Sequence, residues 1–243
     1  MNSSFVCERE YSIDDIIESL REVGIKEGDS IFVHSDLRFF GKLPIGATRE
    51  DFLGGFLKAL LGAIGNGNLI MPTFTYSFCK DEVFDPDTTP SKVGVLTEYF
   101  RKQGGVKRSK DGIFSVAAIG PDKDYFTDVS NDCFGKNSIF EKLYDRDAKI
   151  VFLGPRFDIT YMHFVEQSYG VPYRWIKMFG GFAYNVGPLD KDFQYDLEGI
   201  ADSLKFVLKE TKLGNSKIRV VGAVDAFDEI TEGLKRDINF LLK

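Results

Sequence analysis

The sequence predicts an α/β fold, a central mixed β-sheet covered by helices, and two observations carry that expectation. Short β-prone apolar runs alternate with longer segments of helical apolar spacing along the 243 residues. One run, residues 113–119, is almost wholly apolar, as a strand covered on both faces would be. No repeat, low-complexity tract or linker interrupts the alternation, so residues 1–243 read as a single domain.

The elements follow in order. Ser12 suits an N-cap, Asp15 stands three residues on, and Ile13, Ile16, Ile17, Leu20 and Val23 keep helical spacing until Gly24 ends the helix. Residues 30–34 are short and β-prone, a strand ending on His34. A second helix is expected from Thr48 to Ile64, with Glu50 and Asp51 at its positive end. Gly65-Asn66-Gly67-Asn68 then reads as a helix cap and turn into the strand 69–71. A phosphate loop would require the reverse order, strand before helix. Further helices are expected over 92–103, from Thr160, over 198–211 and over 226–242; strands are expected over 149–153 and 218–224. The loop-rich stretch 78–90 is expected to lie over the site.

Composition narrows the function. Hydrophobic residues at 43% and charged residues at 28% exclude a disordered chain, and no apolar run is long enough to span a bilayer. A net charge of −6 argues against nucleic-acid binding by bulk electrostatics. Cys7, Cys79 and Cys133 share no CxxC spacing, which implies neither a disulfide framework nor a metal site. The start MNSSFVCEREYSIDD is acidic where a signal peptide would be basic, so a cytoplasmic protein is expected. Phe occurs 23 times, an aromatic core, and His only twice, so each histidine can be weighed singly.

In open α/β sheets ligands gather where strands end and helices begin. Four such places carry polar residues: His34-Ser35-Asp36-Leu37; 71–76 with Thr73; the strand holding Ser115, just after Lys107, Arg108 and Lys110; and 160–166. In the last, His163 and Glu166 share a helix face, and a carboxylate beside an imidazole suits general base catalysis. The same spacing also occurs on solvated helices without function. His34 reads equally as a strand-end histidine bonding a carbonyl. Cys79 is a conceivable nucleophile with His163, an acyl-enzyme hydrolase, or inert packing. The basic run 107–110 is a solvated turn or a phosphate contact. Tyr76, Phe78, Tyr173 and Trp175 are sugar-stacking candidates or core.

Together these segments resemble the aminoglycoside 3-N-acetyltransferase family. The likeness lies in Val33-His34-Ser35-Asp36-Leu37, in Met71-Pro72-Thr73-Phe74-Thr75, and in the block from Thr89 to Arg101. It continues through Arg108-Ser109 with Ser115 to Gly120, through Phe134-Gly135 and Ser138, and through Thr160, His163 and Glu166 in a Thr-x-x-His-x-x-Glu pattern. It spans about residue 12 to the C-terminus, loosely in the last part. The resemblance implies a fold distinct from the GNAT acetyltransferases, acetyl-CoA as cosubstrate and no metal. By similarity His163 is the general base and Glu166 orients it. Ser35, Asp36 and Leu37, with Thr73 and Ser115, line the pantetheine and thioester channel, and Arg108 is a candidate for the CoA phosphates. Direct transfer is expected, since a base that takes the amine proton and donors for the oxyanion suffice.

One departure bears on the acceptor. Family members that modify antibiotics usually carry His-Pro where this chain has Asp111-Gly112. Relatives with such a change resemble enzymes acting on nucleotide-linked amino sugars of surface polysaccharide, including lipopolysaccharide, biosynthesis. The expected partner is therefore a small amino-sugar substrate, slightly favouring the nucleotide-linked kind, with aminoglycoside antibiotics as the alternative. A non-catalytic CoA- or sugar-binding protein is the rival from another class. Neither nucleic acid nor membrane is expected as partner, and a homo-oligomer is left open.

Overall fold

A computed structural model describes residues 11–41, 48–187 and 194–243; Cys7 lies outside them. The first helix, α1 (Ile13–Glu22), starts with the expected capping box, in which the Ser12 hydroxyl accepts from the Asp15 N–H and the Asp15 carboxylate accepts from the Ser12 N–H. After β1 (Ser30–Ser35), α2 (Arg49–Ile64) opens with a second capping box, Thr48 with Asp51. It stops at Gly65, whose φ of 55° ends the helix as the sequence predicts, and the chain turns into β2 (Asn68–Pro72).

Next come a short α3 (Val95–Phe100), β3 (Lys107–Arg108), β4 (Val116–Ile119), α4 (Lys123–Thr127), α5 (Ile139–Asp145) and β5 (Lys149–Leu153). The second half holds α6 (Met162–Tyr169), β6 (Trp175–Phe179), β7 (Phe182–Val186) and α7 (Leu197–Ser203), then β8 (Lys209–Leu213), β9 (Ser216–Gly222) and α8 (Ala223–Arg236).

Seven strands make one mixed sheet in the order β3-β4-β2-β1-β5-β9-β8. Its centre is parallel, β1 pairing with β2 and β5, and its flanks are antiparallel. Strand alternation sorts the core to two faces. Phe32, Ile70, Val116, Ile150 and Phe152 pack beneath α5, α6 and α8, in the aromatic-rich half. Ile31, Val33, Leu69, Met71 and Val151 pack against α1, α2 and α3. A second, two-stranded sheet is the hairpin β6–β7. Its turn is Gly180-Gly181, both at positive φ, the conformation a two-residue hairpin loop requires.

Several sequence expectations need correction. The stretch 198–211 is not one helix: α7 ends at Ser203, and from Lys209 the chain is the edge strand β8 paired with β9. There sheet pairing overrides local helical preference. The helix expected over 92–103 shrinks to α3, because Gly94, at a φ of 152°, holds the preceding residues against Ser35. Only Val116–Ile119 of the run 113–119 is strand; Ile113 and Phe114 are buried without pairing in the sheet. The last helix begins earlier and ends earlier than expected, at Ala223 and Arg236.

Candidate active site

The parallel strands β1, β2 and β5 end together, and a cavity of 530 Å³ opens at their C-terminal edge. His34, Ser35, Asp36 and Leu37 form one wall, and Phe74, Tyr76 and the segment 92–95 form another. β1 and β5 approach closely here: the Asp36 N–H donates to the Leu153 carbonyl at 2.7 Å. A Cβ on Gly154 would lie 2.7 Å from the Asp36 carbonyl oxygen, so the crossing needs glycine. The wall is amphipathic. Leu37, Phe74, Val93 and Leu153 supply apolar surface, and Arg38, Lys92 and Arg156 supply positive charge. Asp36 is held by Arg38 at 2.6 Å, which pulls its carboxyl below the usual range.

Two buried polar atoms on this wall have no partner, His34 Nε2 and Ser35 Oγ. The His34 ring stacks on Phe152 at 5.5 Å and meets Phe32 edge-on at 5.0 Å. Burial lowers its pKa to about 4, so the ring is neutral at physiological pH.

Thr160 lines the cavity; His163 follows three residues on in α6 and is not itself among the lining residues. His163 Nδ1 lies 2.6 Å from Glu166 Oε2, and the Glu166 side chain is fully buried. Arg174 Nη1 lies 3.2 Å from the same carboxylate oxygen. Beside an anion, Nδ1 carries the proton and donates it, leaving Nε2 as the basic nitrogen. Burial lowers the pKa of His163; Glu166 opposes that and Arg174 adds to it. Phe134 meets the ring edge-on at 5.3 Å, and Tyr195 packs on it at 5.2 Å. The pair is thus embedded rather than solvated, which separates it from a surface His-x-x-Glu.

The structure brings Ser35, Asp36 and Leu37 to the cavity, but it keeps Thr73, Ser115 and Arg108 off the wall. Thr73 and Ser115 are fully buried; the Thr73 hydroxyl donates to the Ser115 carbonyl at 3.0 Å, and the Ser115 hydroxyl to the Thr73 carbonyl at 2.7 Å. The Arg108 guanidinium is spent on the Thr73, Pro86 and Thr89 carbonyls. It clamps the stretch 85–89 rather than facing an anion. Sequence spacing missed this because buried and lining residues alternate along one segment. Of the basic run, Lys107 pairs with Asp124 at the surface.

Neither described cysteine is an activated nucleophile. Burial and the nearby Asp111 raise the Cys79 thiol, and burial raises Cys133 further. Among the described residues no group of His, Cys, Asp and Glu is placed to hold a metal ion. No described helix is long and apolar enough to cross a membrane. Sequence reasoning also missed Arg174. It lies beyond the His-x-x-Glu pattern, and the turn that follows Gly170 at the end of α6 brings it back against Glu166.

The Asp111-Gly112 departure lies inside the protein. Asp111 is buried, and its Oδ1 accepts from the Ile113 and Phe114 N–H groups at 2.7 and 3.0 Å. A Cβ on Gly112 would lie 2.5 Å from the Phe78 ring, which is packed there against Phe84 and Phe182. Neither residue reaches the cavity wall.

A mixed sheet with a strand-end cavity, beside a buried histidine held by a carboxylate, defines an α/β transferase unrelated to the GNAT type. The family model described as aminoglycoside 3-N-acetyltransferase matches residues 32–235. The chain belongs to that family of acyltransferases. It is 26% identical to an aminoglycoside N(3)-acetyltransferase III of Acinetobacter baumannii, over 90% of this chain and 88% of that one. It is 25% identical to a prophage-derived aminoglycoside N(3')-acetyltransferase-like protein of Bacillus subtilis, over 88% of each chain. Aminoglycoside acetyltransferase AAC(3)-IVa superposes with a TM-score of 0.79 at 26% identity, over 97% of this chain and 92% of that one. A variant of the same enzyme in complex with apramycin gives 0.78 over 96% of each chain. The fold is also that of AAC-IIIb in a binary complex with CoASH, at a TM-score of 0.77 and 20% identity, over 93% of this chain and 97% of that one.

Proposed function

We propose that this protein transfers the acetyl group of acetyl-CoA to an amino group of an aminoglycoside, with His163 as general base. The carrying observation is the buried contact of 2.6 Å between His163 Nδ1 and Glu166. The relatives' names and the aminoglycoside bound to a 26% identical neighbour support the acceptor. The nucleotide-linked acceptor, slightly favoured from the sequence, drew on Asp111-Gly112, and their burial away from the cavity removes that footing.

The cavity suits the donor. Its apolar strip fits a pantetheine arm, the unpartnered Ser35 hydroxyl can donate to a carbonyl, and Arg38, Lys92 and Arg156 suit phosphates. They replace Arg108 as phosphate candidates; each now holds an exposed ion pair, with Asp36, Glu82 and Asp158, that a phosphate would exchange. His163 Nε2 removes the proton from the attacking amine, the nitrogen bonds to the thioester carbonyl carbon, and the C–S bond breaks to release CoA thiolate. Glu166 keeps the ring in the tautomer this requires. Neutral His163 is already in its basic form at physiological pH, consistent with its lowered pKa. The chain acts as one domain in the cytoplasm on this reading.

The test is thiol release from acetyl-CoA with a panel of aminoglycosides and nucleotide-linked amino sugars. Release with aminoglycosides, lost on His163→Ala, supports the proposal. Release with the nucleotide-linked sugars alone would overturn the acceptor, and none with any amine would overturn the enzyme.

A further inference from the structure

We propose that Arg174 is the positioning residue of this base: it holds the Glu166 carboxylate against His163 Nδ1 and balances its charge. The inference rests on His163 being the base, and it starts from an uncommon arrangement. A histidine oriented by a carboxylate ordinarily feels that anion as an unbalanced attraction for a second proton. Here a guanidinium closes the arrangement. Arg174 Nη1 lies 3.2 Å from Glu166 Oε2 and equally 3.2 Å from His163 Nδ1, and the Arg174 side chain is 3% exposed. Glu166 can only accept and Arg174 can only donate; the 2.6 Å contact with Glu166, the shorter of the two, keeps the proton on Nδ1, and the Arg174 charge lies against the pair as a whole.

Arg174 is itself fixed from two directions. It donates to the Asn185 carbonyl on β7 and to the Tyr195 hydroxyl. It sits at the entrance of β6, so the hairpin brings a cation to a helix that has none in its last turn. Among the described residues the other titratable groups facing this cluster are Tyr173, Tyr184 and Tyr195, all raised by burial and therefore neutral. Among them the charges acting on the His163 ring are Glu166 and Arg174, one of each sign. An ion pair selects the tautomer without trapping the base as imidazolium. A buried carboxylate alone would do the first at the expense of the second, or would itself take up a proton.

The chain has only two histidines, so the test can watch His163 directly by imidazole NMR titration, with His163→Asn identifying its signal. In Arg174→Gln the His163 midpoint is expected to move to higher pH. The acid limb of kcat/KM should follow it, with a roughly tenfold loss near pH 6 that is largely recovered near pH 9. Arg174→Lys keeps the charge and should leave the midpoint near that of the wild type. A folded Arg174→Gln protein with an unmoved midpoint and a uniform loss of rate would overturn the proposal, since a purely structural residue gives that result. Should the Gln variant fail to fold, Glu166→Gln tests the same balance from the other side. With Arg174 left unopposed, the His163 midpoint must fall below that of the wild type, and an unchanged midpoint would again overturn the proposal. The titration needs no acceptor. A wild type that acetylates no amine would sink the proposed function while leaving the placement of Arg174 to be decided by NMR.

Discussion

Asp111 allows a stability measurement to decide what the Asp-Gly departure is for. Its carboxyl is buried in the aromatic core, and burial raises its pKa from the ordinary 3.8 to about 6 despite the two backbone N–H donors on Oδ1. The folded protein therefore holds a proton here that the unfolded chain has released between those two values. Stability falls as pH rises through that window, and the penalty is complete above about pH 6. The interval from 3.8 to about 6 corresponds to about 3 kcal/mol. Asp111→Asn keeps the oxygen that accepts both N–H groups and removes the charge. It should therefore gain up to about 3 kcal/mol at pH 7.5 and close to nothing at pH 4. Urea unfolding of both proteins across that range is the assay, with aminoglycoside acetylation measured in parallel. Because Asp111 does not touch the cavity, turnover should stay within about twofold of the wild type. Equal stability of the two proteins at every pH would refute the electrostatic reasoning. A change of acceptor preference in Asp111→Asn would refute the assignment of this pair to packing.

Four further substitutions have expected outcomes. Replacing His163 by Ala should lower kcat by about 10²–10⁴ in steady-state thiol release, and the wild-type acid limb should lie below the ordinary histidine range because the ring's pKa is lowered. Arg156→Gln should raise KM for acetyl-CoA several-fold at low salt and less at high salt. Arg108→Met should instead cost about 3 kcal/mol in urea unfolding, because it strands the carbonyls that Arg108 now binds. Removing a capping box with Thr48→Ala should cost about 1 kcal/mol in the same assay and leave KM untouched.

What the sequence disclosed and what it withheld divide along physical lines. Local codes were legible. The Ser12 capping box, the start of the second helix near Thr48, the glycine stop at Gly65 and the strands Ser30–Ser35 and Lys149–Leu153 depend on neighbours within a few residues. So was the His163–Glu166 pair, because one helical turn joins its members. Features made by distant segments were not legible. Lys209–Leu213 looks helical until Ser216–Gly222 is there to pair with it. Thr73 alternates with the cavity-facing Pro72 and Phe74 and bonds Ser115 behind them, so motif membership could not tell lining from support. Arg174 reaches Glu166 through the turn after Gly170 and is held there by Asn185 of the later strand β7, which no spacing encodes.

The central place of β1 in the sheet also governs how the site comes into being. Its two neighbours, β2 and β5, lie on either side of it in space but far apart in the chain, and β5 in turn is flanked by β9 near the C-terminus. The cavity wall from Ser35 to Leu37 thus acquires its shape only after segments from both halves have met, and such pairings are slow to form. During synthesis the wall from Ser35 to Leu37 stands unfinished until β5, and β9 beside it, have followed it from the ribosome. A refolding experiment should accordingly recover the α1–α2 packing before it recovers CoA binding.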